Sequence, residues 1–437
     1  MRFRLPLFLL APALLPAQLL DPPKTQHVGS TQRQVVESRV DRLNTAQRIA
    51  LWEGRLKEEP ANPQHAIRLA EAYIQKMRET TDYGYLDRAE KLLARVLGKD
   101  AENYEALIVR NQVNLFRHDF HAVVATGRKL AERKPKDPAN WAMLGDALME
   151  MGQYDPAADA YQQMVNLRPD LMSYNRIAWY RFITGDMDGA IQMMTRAVRA
   201  GRPGHENTAW CFVELGNLYL KSAKWAQAEW AYRNALENFA GMHSAHAGLG
   251  HVFAAQGKTE AAIESFRKAQ SMAPMIDYAG ALADLYTLQG KPEEAHKQIQ
   301  TLDLVAKMEA ASGQKANRQL ALIFANHGHK TGEAVEIAKA DLAVRKDVYT
   351  WDAYAWALFR AGDVAGAKKA SENALKAGTP EPLFYYHAGM IAKTLGEGDR
   401  ARTLLRKALD LNPKFDVRHA AEAAQLVAGD GATSGTN

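Results

Sequence analysis

His243, His246 and His251 are the densest group of side chains in this chain with metal-binding or proton-transfer chemistry, because an imidazole ligates metals and exchanges its proton near neutral pH. A metal centre needs more ligands than these, and no cysteine or second histidine cluster completes the set. His246 stands where Trp141 stands in a parallel stretch of the chain, which points to packing. His327 and His329 flank Gly328 and read as loop residues. Cys211 is the only cysteine and has no intramolecular disulfide partner. No phosphate-cradling glycine loop, nucleophile elbow or zinc-protease histidine pair occurs, and charged pairs such as Lys258 and Glu260 fit turns or outer faces. No catalytic residue, cofactor or metal is therefore expected, and the chain reads as non-enzymatic.

What remains is recognition, and recognition depends on the elements that present the side chains. The clearest is Asn140 to Asp170, two short amphipathic helices with a tight turn between them and a proline at the end. Aligning the chain on Gly145 gives Ala70, Asn111, Gly145, Ala178, Gly216, Gly250, Ala283, Ala321, Ala355 and Gly389. By subtraction of residue numbers they lie 41, 34, 33, 38, 34, 33, 38, 34 and 34 residues apart. A second small-residue track runs in the other helix, through Ala89, Ala157, Ala190, Ala228, Ala262, Ala295, Ala334, Ala367 and Ala401, with Val123 as its exception. Small side chains on both helices let their backbones approach closely. Gly152 supplies the left-handed residue where the first helix turns back, with Gly185, Gly257, Gly290, Gly328, Gly362 and Gly396 in register. Pro135, Pro169, Pro274 and Pro413 stop second helices.

Trp141, Leu144, Gly145, Leu148, Ala157, Tyr161 and Pro169 match, in order, the pattern of the tetratricopeptide repeat superfamily, which this chain resembles from about Pro63 to Phe415. The strings WDAYAWALF and YYHAGMI resemble those of secreted bacterial members with no assigned role. The units around Asn111 and around Ala321, with Ala338 and Asp341, depart from the pattern. The resemblance implies an all-α, right-handed superhelical solenoid of about ten antiparallel helix pairs over residues 63–415. It also implies that first helices line a concave groove, where residues one and four places after the small residue face a partner. That rule selects Asp146 and Met149, Trp179 and Phe182, Asn217 and Leu220, His251 and Ala254, Asp284 and Thr287, Leu322 and Ala325, Trp356 and Phe359, and Met390 and Lys393. Trp179, Phe182, Trp356 and Phe359 would anchor side chains, with Met390 beside the second pair. Asn217, His251 and Asp284 would form a polar ladder for an extended peptide backbone. The alternative is that the aromatics are core and the polar residues merely solvated. The Lys, Asn and Arg set that grips a C-terminal carboxylate in some relatives is missing.

The flanks complete the organisation. Residues 1–17 begin MRFR, continue with an apolar run and end in small residues, as a signal peptide cleaved near Ala17 does. The run is shorter than the roughly 20 apolar residues needed to cross a bilayer, so no stable span is expected, an uncleaved anchor being the alternative. Residues 18–30 read as a flexible leader, 31–62 as N-terminal capping helices with Asn44 capping the second, 416–428 as a C-terminal capping helix and 429–437 as a disordered tail. Three insertions, at 78–85, 202–207 and 310–315, read as adjustments of superhelix geometry rather than contact loops. A formal charge of +5 gives no support to nucleic-acid binding. The expectation is an exported, periplasmic or secreted scaffold or adaptor of the bacterial envelope, binding a protein or peptide segment in its groove. The alternative is an accessory subunit of an envelope glycan-synthesis or secretion machine.

Overall fold

The computed structural model describes residues 43–311 and 317–429. The signal, leader and first capping-helix readings, the insertion after Ala311 and the tail beyond Gly429 lie outside them. Asn44 caps α1 (Thr45–Glu58) by accepting from the Gln47 amide, and Gln47 returns a bond to the Asn44 amide. Ten helix pairs follow among the described residues. The first helices are α2 (Pro63–Thr80), α4 (Tyr104–Phe116), α6 (Pro138–Glu150), α8 (Leu171–Ile183), α10 (Glu206–Lys221), α12 (His243–Ala255), α14 (Ile276–Leu288), α16 (Arg318–His327), α18 (Val348–Arg360) and α20 (Pro382–Thr394). Their partners are α3 (Gly84–Leu97), α5 (Phe120–Arg133), α7 (Tyr154–Leu167), α9 (Met187–Ala200), α11 (Trp225–Asn238), α13 (Thr259–Met272), α15 (Pro292–Ala311), α17 (Thr331–Val344), α19 (Val364–Leu375) and α21 (Gly398–Leu411), and α22 (His419–Gly429) closes the stack. The all-α solenoid is the expected one, with pairs numbered 1 to 10 below.

Both small-residue tracks are buried along the whole stack. Their purpose is more specific than backbone approach. A methyl on Gly145 would overlap the Tyr161 ring, one on Gly216 would lie 2.5 Å from the Tyr232 ring, and one on Gly250 would lie 2.7 Å from Phe266. The glycine is thus the socket for a large side chain on the second helix. In unit 2 the sizes are exchanged, with buried Asn111 on α4 and Gly127 at the ring's place on α5. Unit 2 therefore breaks the sequence pattern with a smaller pair, and a methyl at Gly127 would meet Leu144 of the next unit at 3.5 Å. All seven turn glycines take positive φ, and His118 and Ala223 adopt it at the equivalent places of units 2 and 5.

The period alone does not reveal that the superhelix closes on itself. The carbonyls of Glu150, Ile183 and Leu220 lie at the C-terminal ends of α6, α8 and α10, and of the three only Leu220 accepts from a local backbone amide, that of Ala223 at 3.1 Å. The Lys346 amide donates to the first at 2.9 Å, the Thr379 hydroxyl to the second at 2.5 Å and the Asn412 side-chain amide to the third at 2.8 Å. Three successive inter-unit loops thus cap three successive helix ends one superhelical turn earlier. Val348 N–H donates to the Tyr154 hydroxyl, Lys221 pairs with buried Glu381, and Tyr349 OH donates to the same carboxylate at 2.9 Å. Asp341, a departure in unit 8, accepts from the Arg318 amide at 3.0 Å and ion-pairs with Arg345 at 3.1 Å. It helps hold this seam.

Candidate functional site

The concave face of units 1 to 5 encloses a cavity of about 870 Å³. Its wall is a stripe that successive first helices share. Met143, Asp146 and Met149 come from α6, Arg176 and Trp179 from α8, Trp210 and Glu214 from α10, and Phe116 from α4. Met143, Asp146, Met149, Arg176, Trp179 and Glu214 fall on one helical face, at two before, one after or four after the small residue, while Trp210 lies about one turn before Glu214 and Phe116 five places after Asn111. The rule of one and four places finds Asp146, Met149 and Trp179 but misses Met143, Arg176 and Glu214, one turn earlier. Met164, Met172 and Met194 add to the lining, and thioethers on unbranched chains adapt to differently shaped occupants. Trp210 and Met172 are both more than a third exposed, and Tyr83 about half.

Most of the cavity's charges are already neutralised. Arg176 grips Asp146 through Nε and one terminal nitrogen at 2.8 and 2.7 Å, and Asp146 also accepts from Tyr161 OH. Arg345, reaching in from the seam, lies 3.4 Å from Glu150. Arg78 and Glu206 pair at 2.9 Å. These last two residues come from the insertions at 78–85 and 202–207, which meet across the groove with Tyr83 and Asn207 beside them on the cavity wall. The two insertions therefore bound the cavity. Glu214 makes no ion pair among the described residues. Burial pushes its carboxyl above the usual range, opposed by a hydrogen bond with Asn217 and by Lys221. His118, also on the wall, is pushed down to about 4 by burial and by Arg345 and Arg318.

The eight groove candidates fall into three situations. Trp179 lines the cavity and stacks on Tyr349 across the seam at 5.9 Å. Phe182 and Trp356 do not face a groove. Phe182 is fully buried beneath the seam, and Trp356 is closed over by His387 stacked at 4.1 Å while its indole N–H donates to Asn326 at 2.7 Å. Phe359 and Met390 are half-buried against the same core. The polar ladder faces inward but two rungs are taken, Asn217 accepting from Tyr232 OH at 2.8 Å and Asp284 accepting from Arg418 at 3.0 Å. His251 is exposed, lies edge-on to Phe266 at 4.9 Å, and is pushed down to about 4 chiefly by burial of its charge within the concave wall.

The histidine trio does not converge. His243 bonds Tyr278 OH at 2.6 Å, whereas His251 contacts Phe266. Cys211 is buried, and its thiol is pushed up to about 12, so it is no nucleophile at neutral pH. Among the described residues no helix is long and apolar enough to cross a membrane.

A family model described as tetratricopeptide repeat matches residues 142–205, 213–274 and 353–414. No curated protein matches the chain. Among solved structures, it is similar to the type IV pilus biogenesis factor PilW at 15% identity and TM-score 0.40, over 47% of this chain and 92% of that one. It is similar to MamA at 22% identity and TM-score 0.32, over 39% and 97% of the two chains. It is also similar to the Cut9–Hcn1 hetero-tetramer of the APC/C at 13% identity and TM-score 0.38, over 90% and 94%. The chain thus carries tetratricopeptide repeats in three separate stretches, and the ten helix pairs run in register through and between them.

Proposed function

We propose that this repeat scaffold binds its partner protein in the cavity of units 1 to 5, taking a segment that carries apolar side chains and a neighbouring lysine or arginine. Glu214 carries the reading. Asp146, Glu150 and Glu206 each have an arginine of the protein's own, while Glu214 waits in a methionine- and tryptophan-lined wall without one. A partner's cation would offset the burial of the carboxylate's charge, and the methionines and Trp210 would cover the flanking apolar surface. Binding is by contact alone. The place of action we propose is the bacterial envelope, on the basis of the N-terminal arginines, apolar run and small residues of 1–17.

A displayed peptide library panned on the full-length protein tests the first part. Selected peptides should combine apolar and basic residues, should bind at least tenfold more weakly to the Trp179→Ala, Trp210→Ala double variant, and should be indifferent to Trp230→Ala, an exposed tryptophan absent from the cavity wall. Equal binding to the double variant and the native chain refutes the cavity as the site. Cell fractionation tests the second part, and recovery of the full-length protein with Met1 in the cytosol would refute export.

A further inference from the structure

Past Lys221 the concave face continues into units 6 and 7, and there it is occupied. Residues 412–418, Asn-Pro-Lys-Phe-Asp-Val-Arg, leave α21 and cross that face without helical structure before α22 begins at His419. Val417 packs into the cluster that includes Phe253 and Ala254 of α12 and Ala281 of α14. Arg418 donates to Asp284 Oδ1 at 3.0 Å, and His327 Nε2 lies 3.1 Å from the same oxygen. Asn412 holds the start of the segment on the Leu220 carbonyl, and Asp416 caps α22 by accepting from the amides of Arg418 and His419.

The two earlier seam loops do less. Lys346 and Thr379 reach only the ends of α6 and α8, at Glu150 and Ile183. The third loop goes on to lay an apolar side chain and a guanidinium onto groove positions of two consecutive units. Asp284 stands one place after its unit's small residue, as Asp146 does in unit 3, yet Asp146 is satisfied from within the groove wall and Asp284 by a segment lying across it.

We propose that the face formed by α12 and α14 is a second recognition site, separate from the cavity, for a non-helical segment in which an apolar residue is directly followed by arginine, and that residues 412–418 are its ligand in cis. The buried cluster against which Val417 packs together with Phe253, Ala254 and Ala281 supplies the apolar seat, Asp284 the carboxylate, and His327 Nε2 lies 3.1 Å from its Oδ1. A partner segment of the same kind would compete with the internal one, so this stretch of the groove is held shut until the partner's local concentration exceeds the advantage of the tether.

The experiment uses the full chain and a fluorescein-labelled peptide with the sequence of residues 412–418, read by anisotropy. Arg418→Ala, which removes only the ion pair, is expected to bind the peptide at least tenfold more tightly than the native chain. Adding Asp284→Asn in that background is expected to take the gain away. Equal binding to the native chain and to Arg418→Ala overturns the proposal, as does indifference to Asp284→Asn. The charge exchange Arg418→Asp with Asp284→Arg rebuilds the internal pair in reverse and is expected to exclude the peptide as the native chain does. Binding by the exchanged variant as tight as by Arg418→Ala overturns it too. Every arm is run in the Trp179→Ala, Trp210→Ala background, which removes the cavity as a binding site for the peptide, so failure here and failure of the cavity reading are told apart.

Discussion

Asp146 and Asp284 hold the same place in their repeats, one residue after the small residue of the first helix, and they meet opposite fates. Asp146 is clamped by Arg176 from the neighbouring first helix, and the groove in front of it stays open as a cavity. Asp284 is met by Arg418, 134 residues further along the chain, and the groove in front of it is filled. The repeat position fixes which way a side chain points. What it meets is fixed by the superhelical closure, which the repeat pattern does not contain. Units 1 to 5 carry the open stretch of the groove, and over units 6 and 7 the protein has used it for itself.

The sharpest way to break this comparison is through the two tryptophans at that same position. Trp179 lines the open stretch, whereas Trp356, in unit 9, is buried and hydrogen-bonded to Asn326. Trp356→Ala is expected to cost ~3–5 kcal/mol, the ordinary range for deleting a buried aromatic, with partner binding unchanged in whatever fraction stays folded. Trp179→Ala is expected to cost less stability and to weaken binding. Urea unfolding followed by circular dichroism measures both, and equal destabilisation of the two would erase the distinction between the two positions.

A smaller effect tests the seam itself. Gly152 and Gly257 both turn a first helix back with φ near +70°, at 68° and 75°. An alanine methyl at Gly257 meets nothing within 4 Å, whereas at Gly152 it runs into the Lys346 carbonyl of the next superhelical turn. Gly257→Ala should therefore show only the left-handed penalty of ~1–2 kcal/mol. Gly152→Ala should add to that by displacing Lys346 from Glu150. If the two melts coincide, the seam contributes no measurable stability.

These comparisons also show what the sequence carries and what it lacks. Gly145 and Ala157 set a phase that places every helix, turn and stop, because those features depend on contacts within about one repeat. The bonds of the seam join residues 194, 196 and 192 positions apart, and a small-residue track has nothing to say about them. That is why Phe182 and Trp356 read as groove anchors. The rule that placed them on the concave side was sound for Trp179, but closure and the cap cover the others. Asp341 was legible only as a departure, since a buried aspartate makes sense once Arg318 and Arg345 are seen beside it. The closing helix begins at His419 rather than 416 because the residues before it are spent on the groove. The Asn111 unit, by contrast, was legible in principle. Gly127 stands where Tyr161 and Tyr232 stand in their units, so the exchange of large for small was written in the sequence.

The smallest expected effect comes from a carboxylate of unit 7 that makes no ion pair among the described residues. Asp277, in the first turn of α14, has an exposed side chain. Burial of its charge pushes it up to about 6, with Arg318 pulling the other way. A carboxyl raised in the folded state holds its proton longer than in the unfolded chain. Between about pH 4 and 6 the folded protein therefore binds more protons, and stability falls as pH rises through that window. Water around an exposed side chain screens much of the penalty, leaving ~1 kcal/mol at neutral pH. Asp277→Asn should be more stable than the native chain by that amount at pH 7 and indistinguishable from it near pH 4. Asp146→Asn, in the open stretch, should behave oppositely at pH 7, because it strips Arg176 of its partner. Unfolding midpoints of both variants across pH 4 to 7 decide it. If Asp277→Asn tracks the native chain at every pH, this position is as wet as bulk solvent, and the contrast between the two stretches rests on packing alone.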